Sequence, residues 1–175
     1  REYLEFWDGR QKYNDWQRTI DGIEAFPEYL NEVHRFVYNK IYQGNAMEIL
    51  PTLEIKYDLI IMIDILEHFT REEGMKMLDL CLQKSRNLLI STPIDIGGQE
   101  DSFGNPFEIH KFEWKKKHFS QWTNKFFIRN KKSLICYLGE DALNVKNRKT
   151  KMRLKDIINT KLPVIRKVYK SLKGK

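Results

Sequence analysis

The segment from Tyr57 to Pro93 constrains the fold of this chain more than any other. It opens with YDLIIMI, a run in which Asp58 is the only charged side chain. A nearly unbroken apolar run of this length is typical of a strand that is buried on both faces of a parallel sheet. Residues 71–85 then carry apolar side chains at helical spacing, and residues 86–93 form a second apolar run. The segment therefore predicts a strand, a helix and a second strand.

The same alternation extends over most of the chain. Short strands are predicted at residues 19–24 and 41–44, and helices at residues 27–38 and 46–50. Two later apolar runs, residues 125–129 and 133–138, flank a polar turn and predict an antiparallel hairpin. Strands that alternate with helices at this spacing indicate βαβ units. We therefore predict an α/β fold with a Rossmann-like, doubly wound, mostly parallel sheet and a C-terminal antiparallel hairpin.

The positive charge of the chain is concentrated at its C-terminal end. The segment from Asn144 onward contains twelve Lys and Arg residues and one acid, Asp156, so its net charge is +11. The whole chain has a net charge of +7, and the residues before Asn144 therefore have a net charge of −4. Apolar residues recur there at helical intervals, and Pro163 is expected to interrupt the helix. We predict two units: an α/β domain at residues 1–143 and a basic amphipathic helical tail at residues 144–175.

The basic tail leaves several partners open. Its apolar stripe either packs on the domain or contacts an anionic membrane surface, as basic amphipathic helices do. Nucleic acid and a protein partner are the weaker alternatives, although nucleic acid also attracts such charge.

The lengths of the apolar runs, the N-terminal pattern and the two cysteines indicate the cellular setting and which kinds of site to expect. No apolar run reaches the roughly 18 residues that a membrane span needs, and no signal-peptide pattern opens the chain. The two cysteines, Cys81 and Cys136, are far apart and form no CxxC pair, so we predict no metal site and no disulfide framework. A reducing, cytoplasmic setting fits this cysteine usage. The chain begins at Arg1 within a helix-like pattern, from which we expect a preceding segment.

Three stretches of the chain resemble the class I S-adenosylmethionine-dependent methyltransferases. Residues 57–69 (YDLIIMIDILEHF) resemble the fourth strand of that family with its acidic ending, and LLISTP at residues 88–93 resembles the fifth strand. GNPFEIHKFEW, Gly104–Trp114, resembles a stretch of methyltransferases from bacterial surface-glycan and small-metabolite clusters. The resemblance covers about residues 1–139 and includes the final hairpin.

The resemblance implies S-adenosylmethionine as the cofactor and names its binding residues. An acid at the end of the second family strand hydrogen-bonds the ribose hydroxyls, and charge-assisted bonds of this kind are strong. The implied cofactor-binding residues are Glu24 and Ala25 at the ribose, Asn45 and Ala46 near the adenine, and Asp64, Ile65 and His68 at the pocket wall.

The resemblance also implies where the methyl acceptor binds. His110 is the candidate catalytic base, since an imidazole can deprotonate a hydroxyl or an amine near neutral pH. Glu108 and Trp114 are the candidate substrate contacts. The implied acceptor is a glycan precursor or a small metabolite, at a cytoplasmic location that includes the inner face of the membrane if the tail binds lipid.

The chain departs from the family pattern at its N-terminal end. The glycine-rich loop that holds the methionine end of the cofactor, with the strand before it, has no counterpart here; Asp8 and Gly9 are too poor in glycine to replace it. A non-catalytic scaffold with a membrane- or partner-binding tail is therefore the second hypothesis. A nicotinamide-dependent oxidoreductase is a third, which Glu24 fits but the closing hairpin does not.

Overall fold

The structure is a computed structural model that describes residues 16–100 and 104–161, with side chains up to Met152. The helix expected at residues 1–7 and the tail from residue 162 onward, including Pro163, lie outside the described residues.

The first described sheet is a parallel pair. Strand β1, Asp21–Glu24, pairs with β2, Lys40–Gln43. Between them lie a 3₁₀ turn, Pro27–Tyr29, and helix α1, Glu32–Val37. The expected single helix over residues 27–38 is split because Leu30 is extended and the Asn31 side chain starts α1 by accepting a hydrogen bond from the Val33 N–H. Helix α2, Ala46–Thr52, follows β2.

The second sheet has four strands: β3 (Tyr57–Ile63), β4 (Ser85–Pro93), β5 (Lys125–Ile128) and β6 (Ser133–Gly139). Their order across the sheet is β3-β4-β6-β5. Strand β3 is parallel to β4, whereas β6 is antiparallel to both β4 and β5. Helix α3, Arg71–Lys84, connects β3 to β4 as the βαβ pattern predicts.

One face of the four-stranded sheet is covered by α3 and forms the core. Leu88, Ile90 and Cys136 are fully buried on this face. Met62 on β3 is 5% exposed, and its Sδ lies 3.8 Å from the Cys81 Sγ on α3. Burial raises the pKa of both cysteine thiols to about 12, so neither is a reactive thiolate near neutral pH.

The opposite face of β3 corrects the prediction that this strand is buried on both sides. Leu59, Ile61 and Ile63 are 37%, 47% and 57% exposed. Strand β3 is also an edge strand, since among the described residues only β4 pairs with it. The apolar run identified the strand correctly, but burial depends on which elements cover it, and no described element covers this face.

The predicted continuous sheet is also divided, because β1 and β2 pair only with each other in the described part of the chain. The two sheets are nevertheless connected at their first residues. The Tyr57 hydroxyl donates a hydrogen bond of 2.7 Å to Asp21 Oδ2. Burial, together with this bond to a carboxylate, raises the pKa of Tyr57 and keeps its proton in place. Strand β1 is therefore linked to β3 by a side-chain hydrogen bond and not by a backbone ladder.

Helix α4, Ala142–Lys161, follows β6 and contacts both β5 and β6. Ala142 is 1% exposed, so the helix is anchored at its first residue. The predicted boundary after residue 143 thus falls within the first turn of α4, and the division into two units stays a prediction. No helix in the described ranges is long and apolar enough to cross a membrane.

Candidate functional site

The ends of β1 and β2 bring two of the predicted cofactor residues together. The Gly44 N–H donates a 2.8 Å hydrogen bond to the Glu24 carbonyl oxygen, which joins the two strand ends. The Glu24 carboxylate accepts a 2.8 Å bond from the Phe26 N–H, and the Asn45 side chain caps α2 by accepting from the Met47 N–H at 2.9 Å. Because the carboxyl ends of parallel strands meet at one edge, Glu24 and Asn45 lie at adjoining positions there.

The end of β3 carries the one non-glycine residue with positive φ in the described part of the chain. Asp64 has φ of 52° and donates its N–H to the Ser91 carbonyl on β4 at 2.8 Å. The left-handed region is costly for most side chains but is tolerated by Asp and Asn. Such conformations concentrate at functional sites. The turn reverses the chain directly at the strand end and leaves Asp64 and Ile65 exposed.

After Asp64 the chain forms a 3₁₀ turn, Leu66–His68, to which a distant loop is bound. The Glu67 carbonyl accepts hydrogen bonds from the N–H groups of Lys111 and Phe112, at 2.8 and 3.2 Å. The Leu66 carbonyl accepts one from Trp114 Nε1 at 2.9 Å. These three bonds hold the loop that carries His110 against the turn that carries His68.

Glu67, His68 and His110 consequently form a cluster, in which one nitrogen or oxygen atom from each side chain lies within 4.8 Å of the others. The centroids of the two imidazole rings are 5.0 Å apart. Glu67 is 1% exposed, and its Oε2 accepts a 2.9 Å hydrogen bond from the Thr92 hydroxyl on β4.

Backbone carbonyls fix the orientation of both imidazoles. The Nδ1 of His68 lies 3.3 Å from the Ile109 carbonyl oxygen, and the Nδ1 of His110 makes a short contact with the Ile96 carbonyl oxygen. A carbonyl only accepts hydrogen bonds, so Nδ1 carries the proton in each neutral ring. The lone pair is then on Nε2 in both histidines, where it can accept a proton or bind a cation.

The two predicted substrate residues, Glu108 and Trp114, differ in how deeply the structure buries them. Glu108 is partly buried, and its carboxylate accepts hydrogen bonds from the side-chain amides of Gln99 and Asn105 at 3.5 and 3.4 Å. Glu108 remains a candidate contact for the methyl acceptor.

Trp114 requires a correction. It is 1% exposed, and its ring packs directly on Gly74 of α3. A side chain so fully enclosed, with its indole N–H already bonded to Leu66, belongs to the core and does not contact a substrate.

Glu67 belongs to this cluster but was not among the predicted binding residues, although it stands beside His68 at the acidic end of β3. The residues around it, DIL before and HFT after, do not reveal that its carboxylate is buried. The signal that could have identified it is Thr92, a hydroxyl residue within the apolar run of β4. A hydroxyl that is 0% exposed needs a hydrogen-bond partner, and Glu67 supplies it.

The comparison with known proteins identifies a fold. No protein-family model matches this chain, and no curated protein sequence matches it significantly. Among solved structures, the chain is similar to the small RNA methyltransferase HEN1, with 22% identity and a TM-score of 0.51 over 71% of this chain and 20% of that one. It is also similar to monomeric WbdD, with 15% identity and a TM-score of 0.50 over 69% of this chain and 30% of that one.

A third solved structure, the N-terminal domain of EvdMO1 with SAH bound, has 13% identity and a TM-score of 0.49, over 69% of this chain and 64% of that one. The chain spans less than a third of the length of HEN1 and of WbdD. At identities of 22% and 15%, the similarity to HEN1 and WbdD establishes a shared fold. The described part of the chain therefore has a methyltransferase fold.

Proposed function

We propose that this protein transfers a methyl group from S-adenosylmethionine to a hydroxyl or an amine of a glycan precursor or small metabolite. The observation that carries the proposal is the shared fold with the methyltransferase HEN1, combined with acidic and amide side chains at the carboxyl ends of β1, β2 and β3. Ligands of open α/β sheets bind at that edge.

The residues at the ends of β1 and β2 fit the adenosine half of the cofactor. One oxygen of the Glu24 carboxylate accepts a hydrogen bond from the Phe26 N–H and so is fixed in place. The other oxygen is left to accept hydrogen bonds from the ribose hydroxyls, with Ala25 beside it. Asn45 and Ala46 lie at the start of α2, near the adenine. Asp64, Ile65 and His68 line the opposite wall.

We further propose that the methionine end of the cofactor is held by a glycine-rich loop outside these 175 residues. Its strand would pair with the free edge of β3, beside β1. Two features support this: the outer edge of β3 pairs with no described strand, and Leu59, Ile61 and Ile63 on it expose apolar surface. An added strand and its helix would cover this surface.

The chemistry requires little beyond positioning. When bound, S-adenosylmethionine supplies a methyl group already activated on its sulfonium. The protein holds the acceptor in line with that methyl, and such orientation provides much of the rate enhancement of a displacement reaction. His110 Nε2 accepts the proton that leaves the acceptor, and Glu108 contacts the acceptor from the same loop. The tail would hold the enzyme near lipid-linked acceptors at the inner membrane face.

The cofactor assignment is tested by calorimetric titration with S-adenosylmethionine. The protein, extended by any residues encoded upstream of Arg1, is compared with its Glu24→Ala variant. Loss of hydrogen bonds to a charged group costs about 1–3 kcal/mol, so affinity is expected to fall about 5- to 150-fold. Glu28→Ala, an exposed acid on the neighbouring turn, is the matched control and is expected to leave affinity unchanged.

Two results would contradict the proposal. Equal affinity of Glu24→Ala and the unchanged protein would remove the ribose assignment. Absence of binding by the extended protein would favour the non-catalytic scaffold. The 175-residue chain itself is expected to bind S-adenosylmethionine poorly, because the loop at the methionine end supplies backbone donors that it lacks.

A further inference from the structure

We propose that Glu67, His68 and His110 bind one divalent transition-metal cation of the zinc class. Their ligand atoms lie within 4.8 Å of one another on two chain segments that three hydrogen bonds hold together. Two imidazoles and one carboxylate are a common protein ligand set for zinc and for other first-row divalent metals. The cysteine count predicted no metal site, but this ligand set contains no cysteine.

The tautomers that the backbone carbonyls favour for the two neutral histidines are those that a metal requires. Imidazole binds a metal through an unprotonated nitrogen while the other ring nitrogen donates to a carbonyl or a carboxylate. His68 and His110 both place Nδ1 against a backbone carbonyl, of Ile109 and Ile96 respectively, which leaves Nε2 as the ligand atom. Those carbonyls also limit rotation of the rings, so the site is oriented before a cation arrives.

The burial of Glu67 provides an independent reason for a cation. Its side chain is 1% exposed, and within the described part of the chain no ion pair involves it. A buried carboxylate is costly unless a positive charge or a metal compensates it. The Thr92 hydroxyl donates to Oε2 and so acts as the outer partner that orients a ligating carboxylate.

The distances allow closure on one cation by small side-chain movements. Ligands about 2.1 Å from a tetrahedral metal are about 3.4 Å apart, so atoms within 4.8 Å approach by at most about 1.4 Å. Small adjustments of the half-buried His68 and His110 side chains can supply this movement without rearranging the core.

The proposed metal site lies at the turn that follows β3, near the edge where the acceptor is expected, and its role in the reaction rests on the methyl-transfer proposal. A three-ligand site leaves positions open for water or for a substrate oxygen. An acceptor hydroxyl bound there loses its proton to solvent more readily, and the resulting oxygen attacks the methyl group as the carbon–sulfur bond breaks. In that case His110 is a metal ligand and not the general base.

The metal site is tested on the full 175-residue chain without S-adenosylmethionine, so that its outcome does not depend on methyl transfer. Isothermal titration with Zn²⁺, after removal of bound metal by a chelator, is expected to show saturable one-to-one binding. Co²⁺ titration followed by visible absorption reports the ligand environment. Loss of even an outer partner weakens metal sites about 10- to 100-fold, so His68→Ala, His110→Ala and Glu67→Gln are each expected to weaken binding at least about tenfold.

The controls separate a built site from incidental binding by histidines. The chain has four histidines, and His34→Ala and His118→Ala remove the other two. Both are expected to leave Zn²⁺ affinity unchanged, and circular dichroism checks that every variant is folded. The proposal is overturned if no saturable binding occurs, if binding survives unchanged in His68→Ala and His110→Ala, or if the control variants weaken it equally. The cluster would then be a hydrogen-bonded structural feature only.

Discussion

At the scale of the residue, the contact between Trp114 and Gly74 determines where the loop that carries His110 lies. Its indole N–H donates to the Leu66 carbonyl, and its ring packs against α3 at Gly74. A Cβ built on Gly74 would lie 2.2 Å from Trp114 Cζ2, a distance that real atoms do not adopt. Glycine is therefore required on α3 for the loop carrying His110 to lie where it does, although glycine weakens a helix.

Replacing Gly74 with alanine is expected to destabilise the protein. The alanine methyl forces the buried Trp114 ring or α3 to move, and such overpacking typically costs about 1–3 kcal/mol, which exceeds the gain in helix propensity. Urea unfolding followed by tryptophan fluorescence measures the difference. Gly98→Ala is the matched control, because a Cβ there meets no atom within 4 Å. Equal midpoints for the two variants would contradict the close packing of Trp114 on α3.

At the scale of the element, α3 is started by a reciprocal pair of hydrogen bonds. The Glu73 N–H donates to the Thr70 hydroxyl at 3.3 Å, and Glu73 Oε2 accepts from the Thr70 N–H at 2.9 Å. This capping box was encoded in the sequence as Thr70 followed three residues later by Glu73. Two interactions with Thr70 lower the pKa of Glu73: the hydrogen bond from the Thr70 backbone N–H has the larger effect, and the hydrogen bond with the Thr70 side chain has the smaller one.

Substitution Glu73→Gln tests this pair through its dependence on pH. Gln keeps an acceptor for the Thr70 N–H but loses the charge that favours the first turn of a helix, a loss of about 0.3–1 kcal/mol at neutral pH. Because the folded-state pKa is lowered, the stabilisation is present above the unfolded pKa and is lost as pH falls through the folded pKa.

The measurement is chemical unfolding of both proteins across that range. The difference in unfolding free energy is expected to be largest at neutral pH and to disappear in acid. A difference that is constant with pH would show that the Glu73 charge does not contribute. Glu72→Gln, on the same turn but without the capping bond, is the matched control with a smaller effect.

At the scale of the whole molecule, charge and packing change along α4. Its first residue is buried and the helix contacts β5 and β6, so this part belongs to the domain. Farther on, residues 153–175 contain eight Lys and Arg residues and one acid. We expect this second part to contact an anionic membrane surface, where each cation adds roughly 1 kcal/mol of attraction.

Vesicle co-sedimentation tests the membrane contact. The full chain is expected to sediment with vesicles rich in phosphatidylserine at low ionic strength and to be released as salt is added, because salt screens the attraction. Deletion of residues 153–175 keeps the anchored start of α4 and is expected to abolish binding. Neutral phosphatidylcholine vesicles serve as the control. Equal, salt-insensitive sedimentation of both proteins, or sedimentation of neither, would rule out the membrane role.

The sequence by itself determined the order of the strands and of the longer helices, although it predicted one helix over residues 27–38 where the structure has a 3₁₀ turn and α1. The strand predicted over Tyr57–Ile63 has those bounds in the structure, and α3 and β4 follow within a residue of their expected positions. These elements are local: their signals are the spacing of apolar side chains and the capping residues, which neighbouring positions in the chain are sufficient to specify. The methyltransferase resemblance rested on the same segments and agrees with the fold.

Only the tertiary structure decided burial, strand partners and the composition of the site. The same apolar pattern in β3 gives a buried Met62 and an exposed Ile63, because α3 covers one face and no described element covers the other. Glu67 and His110 are 43 positions apart in the sequence, and they meet because backbone bonds hold one loop against one turn. Contacts across such separations depend on how elements pack, which local periodicity does not encode.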